Sequence, residues 1–217
     1  VSKLNEILIV LNGVFKNKKL LYKEIIDRYS TIIAVDGGYK FLQNIVDRKP
    51  DAIIGDFDSL DRDSKLLKNY NGEILKFPSH KDKTDAELAV DYCLTKGHLQ
   101  ISFIGAYGGR ADQQFGNILL LEYAALNSIN ARIIAPGLEI GLIENKRTFN
   151  NKKNFILSIF ALTKDVIISS LRGCRYELDD YRLNRASSRG ISNVIEKKEA
   201  VITIETGKLL YFISKKL

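Results

Sequence analysis

Cysteine, histidine, methionine and tryptophan are scarce or missing in this 217-residue chain, which has two Cys, two His, no Met and no Trp. Cys93 and Cys174 lie far apart and match no metal-ligand spacing, so a cysteine-built metal centre is excluded and buried free thiols are expected. With His80 and His98 the only histidines, no Ser-His-Asp or Cys-His arrangement competes for the chemistry, and His80 reads as an ordinary loop residue. The lack of methionine and tryptophan says little about function. No apolar run approaches the roughly 18–20 residues that span a bilayer. The segment Val1-Ser2-Lys3-Leu4-Asn5-Glu6 carries no signal-peptide pattern. A cytoplasmic location without a membrane partner is therefore the expectation.

What is present is ordinary for a globular protein: 45% of residues are hydrophobic, enough for a real core. The net charge of +7 is compatible with nucleic-acid binding, with a solvated basic surface, or with recruitment of a polyanionic small substrate. The lysines are scattered, no recognised nucleic-acid motif occurs, and basic residues do not alternate with aromatics. A nucleic-acid partner is not expected.

The first half alternates short apolar runs with helical patterns. Ile7–Leu11, Thr31–Val35, Ala52–Ile54, Ile101–Ile104 and Arg132–Ala135 read as strands. Leu20–Arg28, Asp85–Thr95 and Gln114–Leu126 read as helices between them. Such alternation predicts an α/β domain with a mostly parallel sheet over 1–138. From residue 139 the pattern changes. Phe155–Leu162, Val166–Ser170, Ala200–Glu205 and Leu209–Ser214 read as strands without long helices between them, with a turn at Thr206-Gly207. A second, all-β domain over 139–217, a sandwich or small barrel, is predicted. The Asn/Lys-rich stretch 145–154 reads as a surface turn.

In open α/β sheets ligands bind beyond the carboxyl ends of the strands, and the chemistry-bearing residues gather there. Asp36-Gly37-Gly38 follows one strand, and Gly55-Asp56-Phe57-Asp58-Ser59 follows the next. In extended backbone, Asp56 and Asp58 point the same way and make a hard-oxygen site suited to Mg²⁺. The same residues are equally readable as an acidic turn with Ser59 as a helix cap. In Asp82-Lys83-Thr84-Asp85-Ala86-Glu87, Thr84 and Glu87 fit a capping box. The helix it starts should bury Ala86, Ala89, Val90 and Cys93. Asp82 and Asp85 are explained either by the helix dipole or by metal binding, and they exceed what a cap needs. Gly105-Ala106-Tyr107-Gly108-Gly109-Arg110-Ala111-Asp112-Gln113 is a glycine-rich loop between a strand and a helix. Its N–H groups suit phosphate, with Arg110 as a bidentate grip, unless its glycines serve only tight turns. It matches neither common phosphate-loop fingerprint. Together these features describe Mg²⁺-dependent ATP chemistry.

These motifs, in this order, resemble the thiamine pyrophosphokinase (thiamine diphosphokinase) family. Leu171-Arg172-Gly173-Cys174-Arg175-Tyr176-Glu177-Leu178 and Ser187-Ser188-Arg189-Gly190-Ile191-Ser192-Asn193 extend the likeness over nearly the whole chain. The resemblance implies a Rossmann-like domain that binds nucleotide and metal, a β-sandwich domain that binds thiamine, and a homodimer. It implies transfer of a pyrophosphoryl group from ATP to the thiamine hydroxyl, releasing AMP. It implies Mg²⁺ on Asp56, Asp58 and Asp85, with Asp82 close by. The nucleotide-side residues are then Asp36, Gly37, Gly38, Thr84, Gly108, Gly109, Arg110, Asp112 and Gln113, and the thiamine-side residues are Ser192 and Asn193. Asp82 or Asp85 is the candidate proton acceptor, although metal-bound carboxylates are poor bases. Tyr176 or Tyr181 could face the thiazolium. Gln113 stands where many members carry His and is assigned no proton transfer. Ala111 and Cys174 replace bulkier residues. Two alternatives stand beside this reading: another Mg²⁺-dependent phosphoryl or nucleotidyl transferase, and a basic nucleic-acid-binding module without turnover.

Overall fold

The computed structural model describes residues 4–15, 19–56, 70–78 and 82–215. The chain divides into two compact units, Val1–Pro136 and Gly137–Leu217.

The first unit is built on parallel strands β1 (Leu4–Val10), β2 (Tyr29–Val35), β3 (Ala52–Gly55), β4 (Glu73–Lys76), β5 (Gln100–Ile104) and β6 (Asn130–Ala135). They pair in the order β6-β5-β1-β2-β3-β4. Helices α1 (Lys19–Ile26), α2 (Gly38–Phe41, continued by a π-turn over Leu42–Val46), α3 (Asp85–Thr95) and α4 (Ala111–Leu126) connect them. Apolar runs become strands buried on both faces. Ile7 to Val10, Ile32 to Val35, Ala52 to Ile54, and Ile101, Phe103 and Ile104 are all buried, as parallel strands covered on both sides require. Strand β4 was not expected. It is an edge strand whose residues are mostly exposed, so it carries no continuous apolar run.

A polar side chain is buried within this sheet. Ser102 on β5 is fully buried, opposite Arg132 on β6. Its hydroxyl donates to Glu6 Oε1 at 2.7 Å and accepts from Arg132 Nε at 3.0 Å. The Arg132 guanidinium reaches Glu6 Oε2 at 2.7 Å, with the two side chains only 27% and 12% exposed. A polar trio spanning β1, β5 and β6 penalises register slips, because a one-residue shift would strand a charge among apolar side chains.

The second unit contains two antiparallel sheets. One runs β12 (Asn193–Val194), β9 (Phe155–Ala161), β14 (Leu209–Lys215), β7 (Leu138–Ile143). The other runs β11 (Leu178–Asn184), β10 (Asp165–Arg172), β13 (Glu199–Thr206), β8 (Lys146–Asn150). Their alternating apolar residues form one shared core that includes Leu157, Ile159, Ile168, Ile202 and Tyr211. The sandwich-like reading agrees, and the turn at Thr206-Gly207 is present, with Gly207 at φ 90°. The surface turn read over 145–154 requires correction. Residues 146–150 form β8 on the sheet edge, where only Phe149 is buried, and the turn is confined to the residues after it. Among the described residues no helix is long and apolar enough to cross a membrane.

Arg132→Leu should cost about 2 kcal/mol in chemical denaturation, less than the loss of one partner from a fully buried pair, because Glu6 loses its counter-charge. Adding Glu6→Leu should recover most of that loss.

Candidate active site

Strand β1 is flanked by β2 on one side and β5 on the other, so the connections leave it in opposite directions. The crevice beyond its carboxyl end is the topological switch point of the sheet. A cavity of about 780 Å³ opens there. Its wall includes Asn12, Gly13, Asp36, Thr84, Asp85, Gly108, Gly109, Arg110, Asp112 and Gln113.

Close backbone contact shapes this crevice. A Cβ on Gly13 would overlap the carbonyl oxygen of Gly105, and one on Gly105 would fall 2.5 Å from the Leu11 carbonyl oxygen. Cβ atoms on Gly37 and Gly38 would overlap the Asn12 side chain and the Val10 carbonyl oxygen. These two glycines therefore let α2 start directly against the end of β1, a packing role that sequence reading had not separated from ligand binding. Neither lines the cavity.

Asp36 sits at φ 46°, an uncommon conformation for a residue with a side chain. Its N–H bonds the Ile54 carbonyl at 3.0 Å. A Cβ on Gly55 would overlap the Asp36 carboxylate, so this glycine leaves room for it. Half-buried Asp56 follows on the next residue. Asp58 and Ser59 lie outside the described residues, as does His80.

The expected capping box at α3 is present. Thr84 Oγ1 accepts from Glu87 N at 3.2 Å, and Glu87 Oε2 accepts from Thr84 N at 2.7 Å. Ala89, Val90 and Cys93 are buried as expected, while Ala86 is only half-buried and turns toward the cavity. Burial pushes the Cys93 thiol up to about 12, an inert thiol. Thr84 and Glu87 complete the cap, so Asp85 on the cavity wall and exposed Asp82 are surplus to it. Among the described residues no group of three or more His, Cys, Asp or Glu is arranged to hold a metal ion.

The loop from β5 to α4 turns through consecutive left-handed residues, Gly108 at φ 102° and Gly109 at φ 94°. Two residues that sequence reasoning missed hold it to α4. Gln114 Nε2 donates to the Gly109 carbonyl at 3.1 Å, and Asn117 Nδ2 donates to the Ala106 carbonyl at 3.0 Å. The loop is shorter than expected. Helix α4 begins at Ala111, so Asp112 and Gln113 belong to its first turn and Arg110 is its N-cap residue. The Arg110 fork is already occupied by Asp112, with Nε to Oδ1 at 3.1 Å and NH2 to Oδ2 at 2.6 Å. Both side chains stay open to solvent, 71% and 63% exposed. The guanidinium, together with the Gln113 N–H at 2.9 Å, holds the Asp112 carboxyl below its ordinary range.

Ser192 and Asn193 belong to the second unit. Ser192 is at φ 64° and donates its N–H to Ser158 Oγ at 3.0 Å. Asn193 grips the Tyr176 backbone from both sides. Its Oδ1 accepts from Tyr176 N at 3.0 Å, and its Nδ2 donates to Tyr176 O at 2.7 Å. The Tyr176 ring is 67% exposed. Tyr181 is half-buried and packs against the core.

Two family models match the chain: "Thiamin pyrophosphokinase, catalytic domain" over residues 22–133, and "Thiamin pyrophosphokinase, vitamin B1 binding domain" over 145–211. The chain belongs to the thiamine pyrophosphokinase family. The thiamine pyrophosphokinase of Bacillus subtilis (strain 168) is 28% identical over 172 residues, spanning 74% of this chain and 77% of that protein. A crystal structure of thiamine pyrophosphokinase from Bacillus subtilis superposes with a TM-score of 0.84 at 27% identity, covering 98% of this chain and 100% of the other. One from Geobacillus thermodenitrificans gives 0.81 at 25% identity, with 97% of each chain covered. The chain is thus a thiamine diphosphokinase, and neither alternative reading is favoured.

Gly13→Ala should cost about 1–3 kcal/mol in denaturant unfolding, because backbone atoms must separate to admit the methyl group. An unchanged midpoint would mean that the two loops part freely.

Proposed function

We propose that ATP is bound at the crevice beyond β1 and β5, that Mg²⁺ is held there by Asp56, Asp58 and Asp85, and that thiamine is bound on the Ser192–Asn193 side of the second unit. The observation that carries this reading is the cavity itself. Its lining brings together Asp36 and Asp85 with the glycine loop and the start of α4. Carboxylate oxygens are the donors a hard cation prefers, and helix amino termini with open N–H groups attract phosphate. When bound, the magnesium ion would neutralise phosphate charge.

The chain's own residues would do the rest. Gly108 and Gly109 bring backbone close to the polyphosphate, and Arg110 turns its fork from Asp112 to phosphate oxygens. The thiamine hydroxyl oxygen bonds to the β-phosphorus as the bond from that phosphorus to the α-phosphate bridging oxygen breaks. AMP departs with that oxygen. Asp82 or Asp85 accepts the hydroxyl proton. The remaining rate gain comes from positioning and fixed charges. Asn193 fixes the loop that presents Tyr176, whose ring face suits the positively charged thiazolium. The same reading includes a Rossmann-like first domain, a homodimer and a cytoplasmic location.

Incubating the chain with ATP, Mg²⁺ and thiamine should yield AMP and thiamine diphosphate in equal amounts, and ADP with thiamine monophosphate would overturn the reaction. Asp58→Asn or Asp85→Asn should lower kcat/KM at least about tenfold, roughly 1.4 kcal/mol of transition-state stabilisation. A smaller loss in both would sink the metal assignment. Arg110→Ala should raise KM for ATP while leaving thiamine affinity intact, so equal losses for both ligands would contradict the division of the site.

A further inference from the structure

The acidic segment before α3 has a restraint that its capping box does not supply. The box sets the backbone from Thr84 to Glu87 but leaves Asp82 and Lys83, which precede it, undirected. Lys83 supplies the direction. Its Nζ donates to Asp91 Oδ2 at 2.6 Å and to the Tyr123 hydroxyl at 2.8 Å. The Tyr123 hydroxyl donates to Asp91 Oδ1 at 2.6 Å. The three groups form a closed ring of hydrogen bonds that joins the segment before α3, the middle of α3 and the second half of α4. The ammonium also lies 5.4 Å from the centre of the Tyr123 ring.

Two features separate this ring from ordinary surface pairing. Tyr123 also lines the cavity, on the same wall as Leu119 and Leu120 of α4. In addition, α4 is the helix to which Gln114 and Asn117 bind the glycine loop. The ring therefore connects the acidic segment to the element that carries the phosphate-facing loop. Stability alone is a weak reason for it, since the Lys83 and Asp91 side chains are 46% and 30% exposed and such pairs contribute little to folding. Fixed geometry is what three mutually bonded groups do supply.

We infer that Lys83, Asp91 and Tyr123 are positioning residues for the reaction: they hold Asp82 and Asp85 at a set distance from the nucleotide loop of α4. This rests on the proposed reading of Asp85 as a metal ligand. None of the three needs to touch substrate. Lys83 is turned along α3 and held there, which makes it a strut and not a phosphate ligand.

The test compares Tyr123→Phe, Asp91→Asn and their double variant in the full chain. Binding of the non-cleavable α,β-methylene analogue of ATP is measured by calorimetry with Mg²⁺, alongside thiamine KM and thermal midpoint. Each single variant should weaken analogue binding about five- to tenfold, and the double variant should be no worse than the weaker single one, because groups in one ring are not additive. Thiamine KM should be unchanged, and the midpoint should move by no more than about 2–4 °C. Unchanged analogue binding in both single variants, or fully additive losses, would overturn the inference. So would a fall in midpoint without any change in binding, the mark of a merely structural ring. Asp85→Asn separates the two levels. If it abolishes Mg²⁺-dependent analogue binding while the ring variants bind normally, only the ring inference fails. If it binds normally too, the metal assignment fails, and the ring inference with it.

Discussion

The contact on which the site depends is between backbone and backbone, where the chain leaving β1 meets the chain leaving β5. Gly13 and Gly105 touch there with no room for a side chain on the first. Everything near the cavity inherits this proximity. With the two strand ends so close, α2 starts against β1, Asp36 folds over Gly55, and the glycine loop hangs over the same opening. A parallel sheet provides a switch point as a matter of topology. The missing Cβ atoms make this one narrow enough for backbone N–H groups and carboxylates to face one ligand.

The two halves of this sheet treat charge differently. Glu6 and Arg132 neutralise one another within the sheet, with the Ser102 hydroxyl bonded to both. Beyond the carboxyl ends, acidic residues and a glycine loop line the same cavity. The first arrangement locks three strands in register. On the proposed reading, the second presents carboxylate oxygens to a hard cation.

Much of this was legible in the chain. Continuous apolar runs such as Ile7–Leu11 and Ala52–Ile54 became buried strands because a doubly covered sheet tolerates little else. The Thr84–Glu87 cap was readable because its partners are three residues apart. The elements that escaped notice are edges. Strand β4 exposes most of its residues, and β8 looks like a polar turn because only Phe149 needs burial. At the site, residue types and order pointed to Asp36, Asp85 and the glycine loop. The contacts of Gln114 and Asn117 were not readable because they depend on how the preceding loop folds back on its helix, and that of Asp91 with Tyr123 because it depends on two helices brought together by the fold. Nor was it readable that Arg110 would already hold Asp112, because a fork and a carboxylate two residues apart meet only at a helix start.

That last pair bears on how the enzyme lets go. A guanidinium with a carboxylate already in its fork responds only to a ligand that out-competes an intramolecular rival. On the proposed reaction, the incoming nucleotide brings three phosphates and the departing one keeps a single phosphate. On that reading the rival would be displaced more readily by ATP than by AMP. Asp112 would then re-engage the arginine once the triphosphate is gone, and because both side chains are exposed the exchange would cost little in either direction.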